Sequence, residues 1–156
     1  MQIKLKLNGK LVQDEVAPDK ILLDYLREKG CYSVKRGCDT ANCGLCTVYL
    51  NQKPVLSCSV LAVQADGKEV TTLEGIQQEA EEFGAFLADQ GAEQCGYCSP
   101  GLIMNVLAMK RELMNPTEQQ IKAYLAGNLC RCTGYMGQMR AIQNYLRKEQ
   151  TDESSQ

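Results

Sequence analysis

Short runs of alternating apolar and polar residues fill the first half of the chain, a pattern typical of half-buried strands. Ile3, Leu5 and Leu7 alternate with polar neighbours, and the Asn8-Gly9 pair that follows favours a two-residue hairpin turn. Together these runs predict a sheet of short strands. The predicted strand segments are residues 3–7, 11–16, 47–50, 54–58, 60–63 and 70–72.

One helix is predicted between these strands. Pro18 and Asp19 open it, apolar residues at helical spacing continue it to about Lys29, and Gly30 ends it. A helix among short strands predicts a small mixed sheet with the helix lying across it.

The spacing of apolar residues becomes helical after residue 75. Helices are predicted over residues 76–90, from Ser99 onward and from Thr117 to about residue 126, with a last helix over residues 139–147. Ser99 is the expected cap of the second helix, with Pro100 in its first turn.

A capping box, the pattern formed by Thr117 and Gln120, is expected to open the third of these helices. The fold predicted from the pattern is therefore α+β, with a mixed domain over residues 1–75 and a four-helix domain over residues 76–150. Residues 151–156 are expected to form a disordered tail.

Composition narrows the class of protein. Apolar residues make up 44% of the 156 positions, enough for packed cores, and the net charge of −2 comes without a basic tract. This argues against a nucleic-acid-binding surface. No apolar run approaches the ~18 residues of a membrane span, and the alternating N-terminus is unlike a signal peptide. A cytoplasmic protein is expected.

Nine cysteines and no histidine are present. An odd number of cysteines without a secretion signal argues against a disulfide scaffold. In the cytosol such clusters more often bind metal, and with no imidazole available the soft ligands must be thiolates. Four-cysteine zinc sites and iron–sulfur clusters are the two possibilities.

The first cysteine set has the spacing of a plant-type 2Fe–2S site. Cys38, Cys43 and Cys46 are separated by four and then two residues, and Cys58 follows at a distance. Zinc modules usually show two short pairs instead. Read with this motif, the predicted mixed sheet corresponds to the β-grasp domain of plant-type ferredoxins.

The second set consists of two short pairs, Cys95 with Cys98 and Cys130 with Cys132, each placed just before a predicted helix. Helix N-termini suit an anionic cluster, because they offer free amides and partial positive charge. This set alone fits zinc as well as iron–sulfur, and the first set favours iron–sulfur for both. Arg131 either offsets cluster charge or is simply solvated.

Cys31 remains without a partner by spacing. It is expected to be a small, partly buried residue of the core.

Residues 37–48, 94–101 and 127–135 resemble the small iron–sulfur subunit of molybdenum hydroxylases, the xanthine dehydrogenase and aldehyde oxidase family. The resemblance extends from about residue 3 to residue 145 and includes all eight paired cysteines in order. It implies a plant-type ferredoxin domain with an outer 2Fe–2S cluster, followed by an all-α domain with an inner one.

The resemblance also implies partners and roles. A large subunit would bind molybdopterin and carry out the substrate chemistry, and an FAD-binding subunit would usually receive electrons from the outer cluster. Gln94 and Cys132 stand at the positions that approach the pterin in this family. From the residues alone, a local loop hydrogen bond is the alternative role for Gln94.

Two positions depart from the family pattern. Leu45 replaces a commonly small residue, which would alter packing near the flavin side. Gln138, after the unusual Met136-Gly137 pair, replaces an aliphatic residue, which would weaken the first turn of the last helix or change contact with the large subunit. Neither residue is expected to touch a cluster ligand.

Two other functions remain open at this point. A free-standing ferredoxin-like electron shuttle would need only the first domain. A zinc-stapled interaction module would use the same cysteines without redox chemistry.

Overall fold

A computed structural model describes residues 1–153 of the chain, with side chains up to residue 148. In its first half a mixed five-stranded sheet has the order β2-β1-β5-β3-β4. β1 pairs parallel with β5, and the other neighbours pair antiparallel. The strands are β1 Gln2–Leu7, β2 Lys10–Glu15, β3 Thr47–Leu50, β4 Lys53–Leu56 and β5 Glu69–Thr71.

The predicted hairpin turn is present. Asn8 and Gly9 both have positive φ, 48° and 81°, as a type I′ turn requires. The Asn8 side chain also joins the hairpin to the end of β5, since its Nδ2 donates to Thr72 Oγ1 at 2.9 Å and its Oδ1 accepts from Thr72 N at 2.8 Å.

One helix, α1 (Leu22–Glu28), covers a face of this sheet. Leu22, Leu23 and Leu26 of α1 are fully buried and belong to one core with Ile3 and Leu5. Burying each such side chain stabilises the fold by about 1.5–3 kcal/mol. A small mixed sheet with one helix packed on it confirms the predicted β-grasp arrangement.

α1 begins later than predicted, and the predicted strand over residues 60–63 is wrong. Ile21 is extended and forms an isolated bridge with Leu61, because Leu22 N donates to Val60 O and Ala62 N to Lys20 O. This pairing uses the backbone that a longer helix would need. A 3-10 turn, Ala62–Ala65, follows the bridge.

Four helices follow the sheet within the described residues: α2 Gln77–Asp89, α3 Ser99–Glu112, α4 Glu118–Tyr124 and α5 Met136–Glu153. Their core contains Phe83, Leu87, Val106 and Tyr145, all buried. The fold class predicted from the sequence, α+β with a helical second half, is confirmed.

Two helix starts can be compared with their predicted caps. Thr117 forms the expected capping box with Gln120 at the start of α4. Ser99 does not cap α3, because it is already the first helical residue; its hydroxyl donates to Glu93 Oε1 at 2.5 Å instead. Cys98 occupies the cap position, which places that thiol directly at the helix end.

α5 is longer than predicted. It begins at Met136, three residues earlier, so Gly137 and Gln138 lie inside its first turn. At its other end, residues 151–153 of the expected tail are helical, and residues 154–156 lie outside the described part of the chain.

The two halves pack directly on each other. Tyr49 of β3 is buried with Met104 and Ala108 of α3, and its hydroxyl donates to Met104 O at 2.5 Å. Through residue 153, no helix is both long and apolar enough to cross a membrane.

Candidate metal centres

The first cysteine set lies on the loop between α1 and β3 and on the turn after β4. Cys38, Cys43 and Cys46 come from the loop, and Cys58 comes from a 3-10 turn, Ser57–Ser59, in place of the predicted strand end. Ser57 fixes that turn against the loop, because its amide and its hydroxyl both donate to Cys46 O, at 3.3 and 2.7 Å. The structure thus brings all four predicted residues to one region.

The thiols of this set meet in two pairs, Cys38 with Cys43 and Cys46 with Cys58. Backbone amides of Thr40 and Asn42 point at the Cys38 sulfur and, with Cys43, lower the pKa of its thiol to about 6. Burial instead raises the pKa of Cys46 to about 11. Amides aimed at sulfur suit a thiolate that carries negative charge to a metal.

The second set is assembled from two loops that lie far apart in sequence. Cys132 Sγ lies 3.6 Å from Cys95 Sγ, and Cys98 pairs with Cys130. Each pair therefore joins one residue from before α3 to one from before α5. The Thr133 hydroxyl donates to Cys130 Sγ at 3.2 Å. Burial raises the pKa of the Cys130 thiol, but the hydrogen bonds from Thr133 and nearby amides outweigh it and lower that pKa to about 7.

This arrangement fits a dinuclear cluster better than a single zinc ion. The thiols meet two by two, whereas a tetrahedral zinc site needs four ligands around one ion. Pairs of thiols match a 2Fe–2S cluster, in which the two irons share four cysteines. The sulfur chemistry and the amide donors thus fit iron–sulfur at both sites.

The two cysteine sets face each other across one cavity. Its volume is about 520 Å³, and its walls include Cys38 and Cys43 of the first set and all four cysteines of the second. Two hydrogen bonds cross between the loops: Leu129 N donates to Cys43 O at 2.9 Å, and the Tyr97 hydroxyl donates to Arg36 O at 2.9 Å. The backbone of Leu129 thus connects a first-set cysteine to its neighbour Cys130.

Glycines allow this close approach. A Cβ at Gly101, in the first turn of α3, would lie 2.3 Å from Gly44 O, and a Cβ at Gly44 would lie 2.4 Å from Gly127 O. Gly44 also has a φ of +73°. A larger residue at Gly101 would force α3 away from the first cysteine loop, and one at Gly44 would force that loop away from Gly127 and Asn128.

Leu45 and Gln138 are both buried and line one small space with Cys98. Leu45 is buried and lines the cavity between the two cysteine sets. A leucine at this position therefore changes the packing between the two cysteine loops. Gln138 is 5% exposed, and its Nε2 lies 3.6 Å from Cys98 Sγ. The expectation that Gln138 touches no ligand cysteine is wrong, because the earlier start of α5 turns this side chain inward. Met136 and Gly137 do not prevent that first turn from forming.

Other predicted residues occupy varied environments. Cys31 belongs to the first core, as expected, but at 4% exposed it is more completely buried than predicted. Arg131 and Gln94 are exposed, and Arg131 lines the cavity.

Sequence reasoning missed Thr133 and Tyr97 as contacts of the site. Both lie within the motif stretches, where a hydroxyl next to a ligand cysteine is the signal that would have pointed to them.

A mixed sheet with one helix, a helical second half and two facing four-cysteine sites define a two-cluster iron–sulfur protein. Comparison with known families agrees. Residues 5–81 match the 2Fe-2S iron-sulfur cluster binding domain, and residues 72–143 match the [2Fe-2S] binding domain.

The chain belongs to the small 2Fe–2S subunits of the molybdenum hydroxylases. It is 44% identical to the nicotinate dehydrogenase small FeS subunit of Eubacterium barkeri, over 86% of this chain and 87% of that protein. It is also 44% identical to the xanthine dehydrogenase iron-sulfur-binding subunit of Escherichia coli O157:H7, over 85% and 86%. Its structure resembles a chain of quinoline 2-oxidoreductase from Pseudomonas putida 86, with a TM-score of 0.87, 34% identity, and 95% and 94% of the two chains covered.

Proposed function

We propose that this chain is the electron-transfer subunit of a molybdenum hydroxylase complex, and that it passes electrons from a molybdopterin centre in a large partner subunit towards an FAD-binding subunit. The observation that carries the proposal is one cavity whose walls include Cys38 and Cys43 of the first set and all four cysteines of the second. When bound, each 2Fe–2S cluster would accept and release one electron at a time. The chain itself would carry out no substrate chemistry.

The proposed ligands divide between two domains, residues 1–75 and 76–150. Cys38, Cys43, Cys46 and Cys58 would hold the outer cluster, and Cys95, Cys98, Cys130 and Cys132 the inner one. The pairing of the thiols and the hydroxyl and amide donors around them support this assignment. These donors would stabilise thiolates and lower the charge that the clusters present to their surroundings.

The hydrogen bond between Leu129 N and Cys43 O supports a direct route between the sites. Cys43 and Cys130 are thereby connected through one hydrogen bond and a few covalent bonds. In this role the chain holds the two cysteine loops at a fixed separation and excludes water with Leu45, which is buried between them.

Large apolar side chains stand exposed around the second cysteine set. Tyr97, Leu129, Tyr135 and Met136 are 46%, 47%, 44% and 62% exposed. Such a patch at a cluster favours a fixed partner over a free-standing ferredoxin-like shuttle. We place the large molybdopterin-binding subunit here, where the exposed Gln94 and Cys132 would approach the pterin. The complex would act in the cytoplasm, on neither nucleic acid nor membrane.

The ligand assignment is tested by metal analysis and electron paramagnetic resonance of the anaerobically purified full chain. We expect iron and acid-labile sulfide in equal amounts, and two distinct signals after reduction. Cys43→Ser should remove or alter one signal and keep the other. Cys31→Ser, at a buried cysteine outside both sets, should keep both. Zinc in place of iron would refute the assignment.

The role in a complex is tested by co-purification from the native source. We expect larger subunits that contain molybdopterin and FAD to remain bound to this chain. A stable monomer that carries both clusters, isolated alone under the same conditions, would instead support the electron shuttle.

A further inference from the structure

Gln138 lies at the start of α5 with its side chain directed inward. The side chain is 5% exposed, and its amide Nε2 donates to Cys98 Sγ at 3.6 Å. Its surroundings are largely apolar, because Leu45, Leu102 and Leu129 line the same small space. A hydrogen bond in such a place is electrostatically stronger than one in water.

The fold holds Gln138 in this position from both sides. Helix α5 starts directly after Tyr135, where Met139 N donates to Tyr135 O at 2.9 Å. Gly137 lies so close to the loop before α3 that a Cβ there would be 3.2 Å from Ala92 Cα. The first turn of α5 is therefore fixed against the loop that carries Cys98, which keeps the backbone of Gln138 within reach of that thiol.

We propose that Gln138 is a positioning residue that sets the reduction potential of the second cluster through its N–H···S hydrogen bond to Cys98. The inference rests on the proposed function, since it needs a cluster at Cys95, Cys98, Cys130 and Cys132. Reduction adds one electron to the cluster and makes its ligand sulfurs more negative. A donor on a ligand sulfur stabilises that reduced form more than the oxidised one, and so raises the potential.

The rise in the reduction potential of the second cluster would affect electron transfer. A higher potential makes the second cluster easier to reduce, so it draws electrons more strongly from the large subunit that the proposal places beside it. The first set has no counterpart to this bond among the side-chain amides of the described residues. Gln138 therefore raises the potential of the second cluster through a side-chain donor, whereas the described donors to Cys38 of the first set include backbone amides.

The test is a redox titration of the full chain, with dithionite as reductant and ferricyanide as oxidant, followed by electron paramagnetic resonance. Gln138→Met keeps the length of the side chain and removes the amide. We expect the ratio of reduced to oxidised second cluster at a given potential to fall about tenfold, a shift of about 59 mV for a one-electron couple. The first cluster should be unchanged and serves as an internal reference.

Gln143→Met on the same helix is the matched control. Gln143 donates to Glu118 on the exposed surface of α5, away from both cysteine sets. We expect this change to leave both potentials unchanged. A shift from Gln143→Met as large as that from Gln138→Met would show a general effect of α5 and overturn the inference.

A second measurement covers the case in which Gln138→Met fails to hold the second cluster. In unaltered protein labelled with nitrogen-15 in its glutamine side chains, the reduced second cluster should show a nitrogen hyperfine coupling, which Gln138→Leu removes. An unchanged potential in the variant, or no such coupling in the unaltered protein, overturns the inference. Absence of the second cluster from unaltered protein would instead refute the proposed function.

Discussion

The close contact between α3 and the first cysteine loop predicts that alanine at Gly101 destabilises the fold, whereas alanine at Gly84 does not. Gly101 is buried in the first turn of α3, and a Cβ there would lie 2.3 Å from Gly44 O and 2.9 Å from Leu45 Cα. Both contacts are with backbone atoms, which cannot move aside as a flexible side chain can. Gly101→Ala must therefore shift the helix or the loop.

The size of the effect follows from this overlap. Adding a methyl group to a tightly packed site costs about 1–3 kcal/mol. Gly84, in α2, is the control, because a Cβ there meets no atom within 4 Å. Gly84→Ala should stabilise the protein by about 0.5–1 kcal/mol, since alanine loses less backbone freedom than glycine in a helix. The two substitutions are chemically identical and should act in opposite directions.

The assay is thermal unfolding followed by circular dichroism, at one scan rate, with matched iron content. For a domain of this size 1 kcal/mol corresponds to about 2–4 °C. We expect the midpoint to fall by roughly 2–12 °C for Gly101→Ala and to rise by up to about 4 °C for Gly84→Ala. Equal upward shifts would show that α3 and the cysteine loop are not in the described contact.

Two further predictions concern Glu74 and Gln94. Burial alone raises the pKa of Glu74, but hydrogen bonds from Ser33 and Thr72 outweigh it and hold the pKa below its ordinary value. Ionised Glu74 thus stabilises the fold above its unfolded pKa, and this contribution is lost as the pH falls through the lower folded pKa. Glu74→Gln should lower the free energy of unfolding at neutral pH by about 1–3 kcal/mol, measured as a lower midpoint of thermal unfolding. The difference in midpoint between the variant and the unaltered protein should narrow in acid, and a difference independent of pH would contradict this. Gln94→Ala should keep both cluster signals but reduce turnover with the molybdenum subunit by about tenfold, and unchanged turnover in the reconstituted complex would refute the role of Gln94.

The sequence predicted well those features that depend on local pattern. The β1–β2 hairpin follows from alternation and from Asn8-Gly9, and the start of α4 follows from the capping box at Thr117. The fold class followed from the change of apolar spacing near residue 75. Each of these signals lies within a few residues of the structure it determines.

The features that were missed depend on contacts between distant residues. The late start of α1 results from pairing of Ile21 with Leu61, forty positions away. The pairing of Cys95 with Cys132, and not with its near neighbour Cys98, depends on how two helices pack. The contact of Gln138 with Cys98 depends on the first turn of α5 lying against the loop before α3. Spacing along the chain contains no information about these distances.

The backbone hydrogen bond from Leu129 N to Cys43 O has a consequence for regulation of the proposed electron transfer. It ties both sulfur-bearing loops to each other through main-chain atoms, which no change of rotamer can release. Because main-chain atoms set the distance between the two cysteine loops, a change of side-chain conformation at this contact would not regulate the proposed electron transfer. Regulation of the proposed electron transfer would therefore have to act in the partner subunits that deliver electrons to this chain and accept them from it.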